Sequence, residues 1–541
     1  MTLQQGLRLP PSGWTLTGLL GFYVLAGLFG HDPWRGEDAV HLAAAFDILQ
    51  GDWLSPDLGG VPFNEPPLYY WTAALLGKVL GGIFPTHDAM RLASGFWMAL
   101  ALTGLYYASR EAYGQDSAAA APLLLAGSLG LIFHAHHAQP MLVGMAAMSG
   151  ALGSLETWQR RPGLASLFYG LSLAAAFLGI GWIACLPVWL LGGFACLTGR
   201  IPRKQWLSLV AAYTLALILI AAWLFSLKQY APDRLTTTLH NQTLIWLSNP
   251  APLSSLFSNL GMLVWFAWPS LPVALWTLWR LRRRTDERQA HQMPAVAFLL
   301  SLVMLSLCYE NRDVPGILLL PPLALIATPG ILNLRRGAAQ ALDWLSRMAF
   351  TVFALLVWLG WSAMTLGWPA RLAHRAVELE PGFEGSFSLP WTLLALGVTA
   401  FWFWLITTTS RSPYRSIAHW TAGLTTFWLL LTTLWLPWID YGNSYRDVAT
   451  RLAKPLGKKP GCIAEKGLGD TQRASFAYFA GLQLVPAPNP KANECRWLLI
   501  QGQADNPPSP GESWEKVWEG HRKKPRKEMF FLYRQRISPS Q

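Results

Sequence analysis

Apolar residues gather into thirteen runs, near positions 14–30, 91–109, 117–133, 141–158, 164–178, 183–198, 206–227, 256–279, 293–308, 315–333, 348–367, 389–408 and 417–437. Each comes close to the ~20 residues that cross a bilayer as a helix. The pattern predicts an α-helical polytopic membrane protein with about 13 transmembrane helices. The first run follows Arg8 and has no small-residue cleavage site after it, so it reads as a retained anchor rather than a cleaved signal.

The loops set the orientation. With the N-terminus in the cytoplasm, the inner loops (110–116, 159–163, 199–205, 280–292, 334–347 and 409–416) carry 16 Lys or Arg in 54 residues. The outer loops (31–90, 134–140, 179–182, 228–255, 309–314 and 368–388) carry 7 in 126. Cations favour the cytoplasmic side. The count therefore places the N-terminus inside and the C-terminus outside of a membrane that the chain crosses many times.

The pattern changes at residue 440. Residues 1–439 read as one transmembrane domain and residues 440–541 as a small soluble α/β extracytoplasmic domain. Its predicted elements are a helix at Ser444–Leu456, a helix at Thr471–Ala480, and strands at Cys462–Glu465, Leu482–Val485, Trp497–Gln501 and Met529–Tyr533. Cys462 and Cys495 each stand beside a predicted strand. In an oxidising compartment they are disulfide candidates; otherwise they are two buried thiols.

Composition agrees. The chain is 52% hydrophobic and 13% charged, too apolar and too poor in charge for a soluble enzyme or a disordered chain. The formal net charge of +12 sits largely in short loops, so it orients the protein rather than building a nucleic-acid groove. The 29 Trp suit membrane interfaces.

Candidate chemistry concentrates in the first outer loop, residues 31–90. It holds eight of the 30 carboxylates: Asp32, Glu37, Asp38, Asp47, Asp52, Asp57, Glu65 and Asp88. Two stretches, 37–50 and 66–84, predict amphipathic helices at the membrane surface. Glu37 and Asp38 would open the first of them, where carboxylates also serve simply as helix caps.

The loop resembles that of the polyprenyl-phosphate-sugar-dependent membrane glycosyltransferases of the C-type fold, the family of aminoarabinose transferases and protein O-mannosyltransferase-like enzymes. The similar pieces are Glu37-Asp38, Gly51-Asp52-Trp53, Gly60-Val61-Pro62-Phe63 and Pro66-Pro67-Leu68-Tyr69-Tyr70-Trp71. The family pair is usually Asp-Glu. Glu65 stands where the family has Lys, and Gln139 where it has a second Asp.

The resemblance implies an enzyme that moves a sugar from a polyprenyl-phosphate donor to a glycolipid, polysaccharide or protein hydroxyl in the cell envelope. Such a reaction needs a base for the hydroxyl proton and cations for the lipid phosphate. Asp38 and Glu37 are the joint candidates for the base. Arg312, Arg35, His134 and His136 are the candidates for phosphate binding, and Glu65, Tyr69, Gln139 and His240 for acceptor or loop contacts. No cofactor is demanded, but a divalent metal held by Glu65 and His240 is a weak candidate. The alternatives are a non-catalytic relative acting as an envelope scaffold, and a lipid-linked solute transporter. The second suffers from spans nearly free of ionisable groups.

Overall fold

The computed structural model describes residues 13–243, 254–282, 288–308, 313–457, 460–522 and 528–536. Among them, seven helices are long and apolar enough to cross a membrane. An eighth span results if the bent pair Ser254–Phe266 and Ser270–Arg280 counts as one. The predicted run 256–279 is thus not a straight rod: its halves meet at 107°. Pro269, which has no backbone N–H, sits at the break. The run at 117–133 is also broken, into helices Ala120–Ala126 and Leu131–His134.

The first outer loop is built on four helices: α1 (Gly13–Leu25), α2 (Glu37–Gln50), α3 (Leu68–Leu80) and α4 (Thr86–Tyr113). A short hairpin, β1 (Asp57–Leu58) and β2 (Val61–Pro62), joins α2 to α3. α2 begins at the acidic pair and ends before Gly51, as its alternation of Ala, Leu and polar residues predicts. Its inner face, with Leu42, Ala44, Ala45 and Ile48, is fully buried, and it shares one core with Tyr70 and Ala73 of α3 and Met90 of α4.

α4 packs closely against the helix Met141–Thr157. A Cβ added at Gly104 would lie 2.9 Å from the backbone nitrogen of Gly150. Small residues permit such approach where hydrocarbon supplies no hydrophobic drive between helices. The contact matters for the site, because α4 carries Asp88 and Arg91 and the second helix begins just after Gln139.

After a π-helical turn at Leu431–Trp435 and the helix Leu436–Asn443, the chain enters the C-terminal region. The helix Arg446–Leu456 leads to a five-stranded sheet of order β4-β3-β5-β7-β6. The strands are β3 (Ile463–Lys466), β4 (Leu484–Pro486), β5 (Trp497–Gly502), β6 (Trp514–His521) and β7 (Met529–Gln535). β3 runs parallel to β4 and β5, while β7 is antiparallel to β5 and β6. The helix Asp470–Ala480 provides the crossover that parallel strands require. Leu452, Ile463, Phe476, Leu499, Phe530 and Leu532 form the core.

β6 was not among the predicted strands. Its Glu515, Lys516 and Glu519 are exposed, as suits an edge strand guarded by charge. At the opposite edge, Leu484 N–H of β4 donates to Gly59 O of the first outer loop at 2.5 Å. A Cβ at Gly60 would meet Leu484 O at 2.9 Å, and Gly60 has φ +97°, so the turn needs glycine both for conformation and for contact.

Candidate active site

The first outer loop spends most of its carboxylates on structure. Asp52 accepts from Ser55 N–H (2.9 Å) and O–H (2.8 Å). Asp47 accepts from Asp57 N–H at 2.8 Å. Asp57 pairs with Arg234, and Asp32 with Arg446. Asp88 pairs with Arg91 at 2.9 Å and accepts from Gly30 N–H at 2.9 Å.

The acidic pair divides sharply. Asp38 is buried and accepts from Ala138 N–H (2.7 Å), Trp34 N–H (3.0 Å) and Arg91 Nη2 (3.2 Å). Burial is the largest influence and opposes its ionisation, but the Arg91 guanidinium, His137, His31 and the hydrogen bond from Arg91 together outweigh it and hold the carboxyl well below the usual range. Arg91 is itself 0% exposed and also donates to the carbonyls of Leu28, His31 and Asp32. A buried charge satisfied on every side is a structural anchor. Arg91 lies at the head of a predicted span, three residues after Asp88; that spacing was its only signal in the sequence.

Glu37, one residue earlier, is exposed. Among the described residues, the one hydrogen bond to its carboxylate comes from Gln139 Nε2 at 2.7 Å. Gln139 is 3% exposed, and its own oxygen accepts from Met141 N–H at 3.2 Å. The amide that replaces an acid in the family pattern therefore steadies Glu37 without competing for its proton. His134 lies within electrostatic reach of both Glu37 and Asp313, although burial lowers its pKa and so favours neutral imidazole.

Several of the expected site residues are already engaged by the protein itself. His136 is 0% exposed and its ring nitrogens face the carbonyls of Ile132 (2.5 Å) and Tyr23 (2.6 Å). It has no nitrogen left for a phosphate. Tyr69 is also 0% exposed, with its hydroxyl 2.8 Å from Ser94 Oγ; it packs the core rather than meeting an acceptor. Glu65 accepts from Tyr70 O–H at 2.5 Å, and His41 Nδ1 lies 4.0 Å from it.

His240 is exposed on the helix Pro232–Thr243. Among the described residues no three His, Cys, Asp or Glu side chains group to hold a metal, so the Glu65–His240 metal site has no support. Arg35 is exposed. Arg312 lies outside the described residues. Cys462 and Cys495 precede the parallel neighbours β3 and β5, with Cα atoms 5.0 Å apart and sulfurs joined as a disulfide.

A further connection was not legible in the sequence. Asp440 accepts from Trp34 Nε1 (2.8 Å) and Asp32 N–H (2.9 Å). Arg35 N–H donates to Asn443 O at 3.0 Å. Ser444 O–H donates to Asp32 at 2.6 Å. Residues 440–446 are thus laced to the segment that bears the acidic pair.

Comparison with known proteins follows the same lines. The chain superposes on ArnT from Cupriavidus metallidurans, with a TM-score of 0.68 for the apo state and 0.71 for the form bound to undecaprenyl phosphate. Each match covers 96% of this chain and 98% of that one, at 15% and 16% identity. The chain has the C-type glycosyltransferase fold of the aminoarabinose transferases. Residues 64–225 match the family described as dolichyl-phosphate-mannose-protein mannosyltransferase.

The undecaprenyl phosphate-alpha-4-amino-4-deoxy-L-arabinose arabinosyl transferase of Pseudomonas paraeruginosa is 26% identical over 439 residues, covering 76% of this chain and 73% of that protein. Arabinosyl transferase 2 of Pseudomonas fluorescens is 26% identical over 260 residues, and there the match spans 43% of the relative's length. With its apolar helices and this fold, the chain is a multi-pass membrane protein, similar in sequence to these transferases.

Proposed function

We propose that the protein is an integral-membrane glycosyltransferase that moves a sugar from a polyprenyl-phosphate donor to an envelope acceptor. The acceptor is a glycolipid, polysaccharide or protein hydroxyl. The reaction takes place at the outer face of a bacterial inner membrane, with the N-terminus cytoplasmic and residues 440–541 periplasmic. The observation that carries this reading is the division of labour in the acidic pair: Asp38 is consumed by Arg91, while Glu37 is exposed and steadied by Gln139. The names of the relatives support a lipid-phosphate donor.

Glu37 takes the proton of the acceptor hydroxyl as its oxygen bonds to the anomeric carbon. The bond from that carbon to the phosphate oxygen breaks, and polyprenyl phosphate leaves with the electron pair. A positioned base of this kind contributes roughly 10²–10⁴-fold. Arg35 and Arg312 are the proposed cations for the leaving phosphate, since guanidinium can bind two of its oxygens.

The test is release of polyprenyl phosphate by the protein in lipid nanodiscs, supplied with polyprenyl-phosphate sugars and crude envelope acceptor. Turnover that falls by at least about 10²-fold in Glu37→Gln, in protein with an unchanged melting temperature, supports the proposal. Turnover untouched by Glu37→Gln removes Glu37 as the base. No release with any donor, from folded protein that still binds the lipid, replaces the enzyme with a scaffold.

A further inference from the structure

A large cleft lies away from Glu37. It encloses about 1220 Å³ between the end of α1, the helix Leu389–Thr408, the stretch from Leu429 to Tyr441 and the start of the C-terminal region. Glu37, His134 and Gln139 do not line it. The segment 31–38 separates the two places, because Asp32 faces the cavity while Trp34 and Asp38 turn inward.

The cavity is two-ended. One end is apolar, formed by Leu25, Phe29, Leu394 and Leu429. Its wall helix, Leu389–Thr408, is only 11% buried over its apolar window, and Trp391 and Leu394 are exposed. That wall faces hydrocarbon, so the occupant comes from the bilayer. The other end carries Asp32, Asp88, Glu384, Asp440 and Asp447 against a single Arg446.

Two of these charges are already answered: Asp88 by Arg91 and Asp32 by Arg446. Asp447 shares Arg451 at 2.9 Å. Asp440 and Glu384 have no cation within ion-pair distance among the described residues. An anionic headgroup here would meet like charge, whereas an ammonium would be attracted. Arg446, packed over the Phe479 ring, gives Nε and Nη2 to Asp32, which leaves Nη1 as its donor for a phosphodiester.

We propose that this cleft binds a diacyl aminophospholipid of the outer leaflet. The acyl chains lie along Leu25, Phe29 and Leu394. The ammonium meets Asp440 and Glu384, and the phosphodiester meets Arg446. The site is distinct from the glycosyl-transfer site and does not depend on it.

The test uses the full-length protein in nanodiscs and needs no turnover. Two photoreactive probes with the same diazirine-bearing acyl chain are compared, one with a phosphatidylethanolamine head and one with a phosphatidylglycerol head. Crosslinked peptides are mapped by mass spectrometry. The ethanolamine probe should label peptides spanning 25–32, 384–394 and 429–437 about fivefold more than the glycerol probe. Glu384→Gln should cut that preference, and adding Asp440→Asn should abolish it. Glu384 makes no hydrogen bond or ion pair among the described residues, so its single variant keeps the test clear of folding effects.

Equal labelling by the two heads overturns the proposal, as does a preference that survives both substitutions. Displacement of the ethanolamine probe by undecaprenyl phosphate at equal concentration overturns it too, by making the cleft part of the donor route.

Discussion

The indole N–H of Trp34 donates to the carboxylate of Asp440 at 2.8 Å, across 406 residues of chain. Trp34 also offers its backbone N–H to Asp38. The corner that presents Glu37 is therefore held from two sides: by Arg91 in the membrane-embedded body, and by the start of the C-terminal region. Removing one partner of a part-buried hydrogen bond leaves the other unsatisfied, at a cost of about 1–3 kcal/mol.

That relationship predicts a coupling. Asp440→Ala and Trp34→Phe should each destabilise the protein, and the double variant should be less destabilised than the sum, with a coupling of about 0.5–3 kcal/mol. Asp440→Asn, which keeps an acceptor oxygen, should stay close to the parent. Hydrogen exchange of the 31–40 peptide should rise in Asp440→Ala and not in Asp440→Asn. Additive effects would detach Asp440 from the corner.

The two members of the acidic pair should fail in different ways. Asp38→Ala leaves buried Arg91 with Asp88 as its one remaining carboxylate partner and leaves the Trp34 and Ala138 N–H groups without their acceptor, a loss of about 3–5 kcal/mol, so folded yield and melting temperature should fall steeply. Glu37→Gln is an exposed change and should move stability by less than about 0.5 kcal/mol. Thermal unfolding in nanodiscs separates the two, whatever the activity measurements say.

Acid should destabilise the site through a histidine. Burial is the largest influence on His137 and lowers its pKa to about 4. The unfolded chain, with its histidine near 6.5, then binds a proton that the folded protein refuses. Stability should fall as pH drops below about 6.5, with His137 contributing about 2 kcal/mol between pH 7.5 and 5 and His31, His134 and His136, also held low by burial, adding to the loss. Asp38 and Asp32, both held below the ordinary carboxylate range, lose their contribution only below about pH 4. A melting curve of His137→Gln that keeps the full slope between pH 7.5 and 5 would assign the effect elsewhere.

The Cys462–Cys495 disulfide closes a 33-residue separation. Loop-closure entropy for that length corresponds to about 3.7 kcal/mol of stabilisation. A Cys462→Ser, Cys495→Ser variant should unfold at a lower temperature in the C-terminal region, and parent protein should show no reactivity of these thiols before reduction. Free thiols at both positions in protein taken from oxidising conditions would contradict the bond.

Much of the architecture could be read from periodicity. α2 spans Glu37–Gln50 as its pattern predicts, and the C-terminal helices and four of the five strands fall within a few residues of expectation. Local pattern could not tell which of two adjacent carboxylates points inward. That depends on Arg91, 53 residues away from Asp38, and on the close packing at Gly104 that brings the Gln139 turn alongside. Nor could it show the break at Pro269 or the edge strand β6, whose charged outer face hides its alternation. Pairings such as Asp32 with Arg446 join residues more than 400 positions apart, and no spacing rule reaches that far.

The turn at Gly59 has a consequence for anyone who divides this protein. By filling the open side of β4, it does for the small sheet what a neighbouring strand would do. An isolated fragment of residues 440–541 would lose that cover and present unpaired backbone donors and acceptors along β4, a ready template for another copy of itself. Self-association of the excised fragment should therefore rise with concentration. A fusion that supplies the hairpin segment 55–64 should restore a monomer.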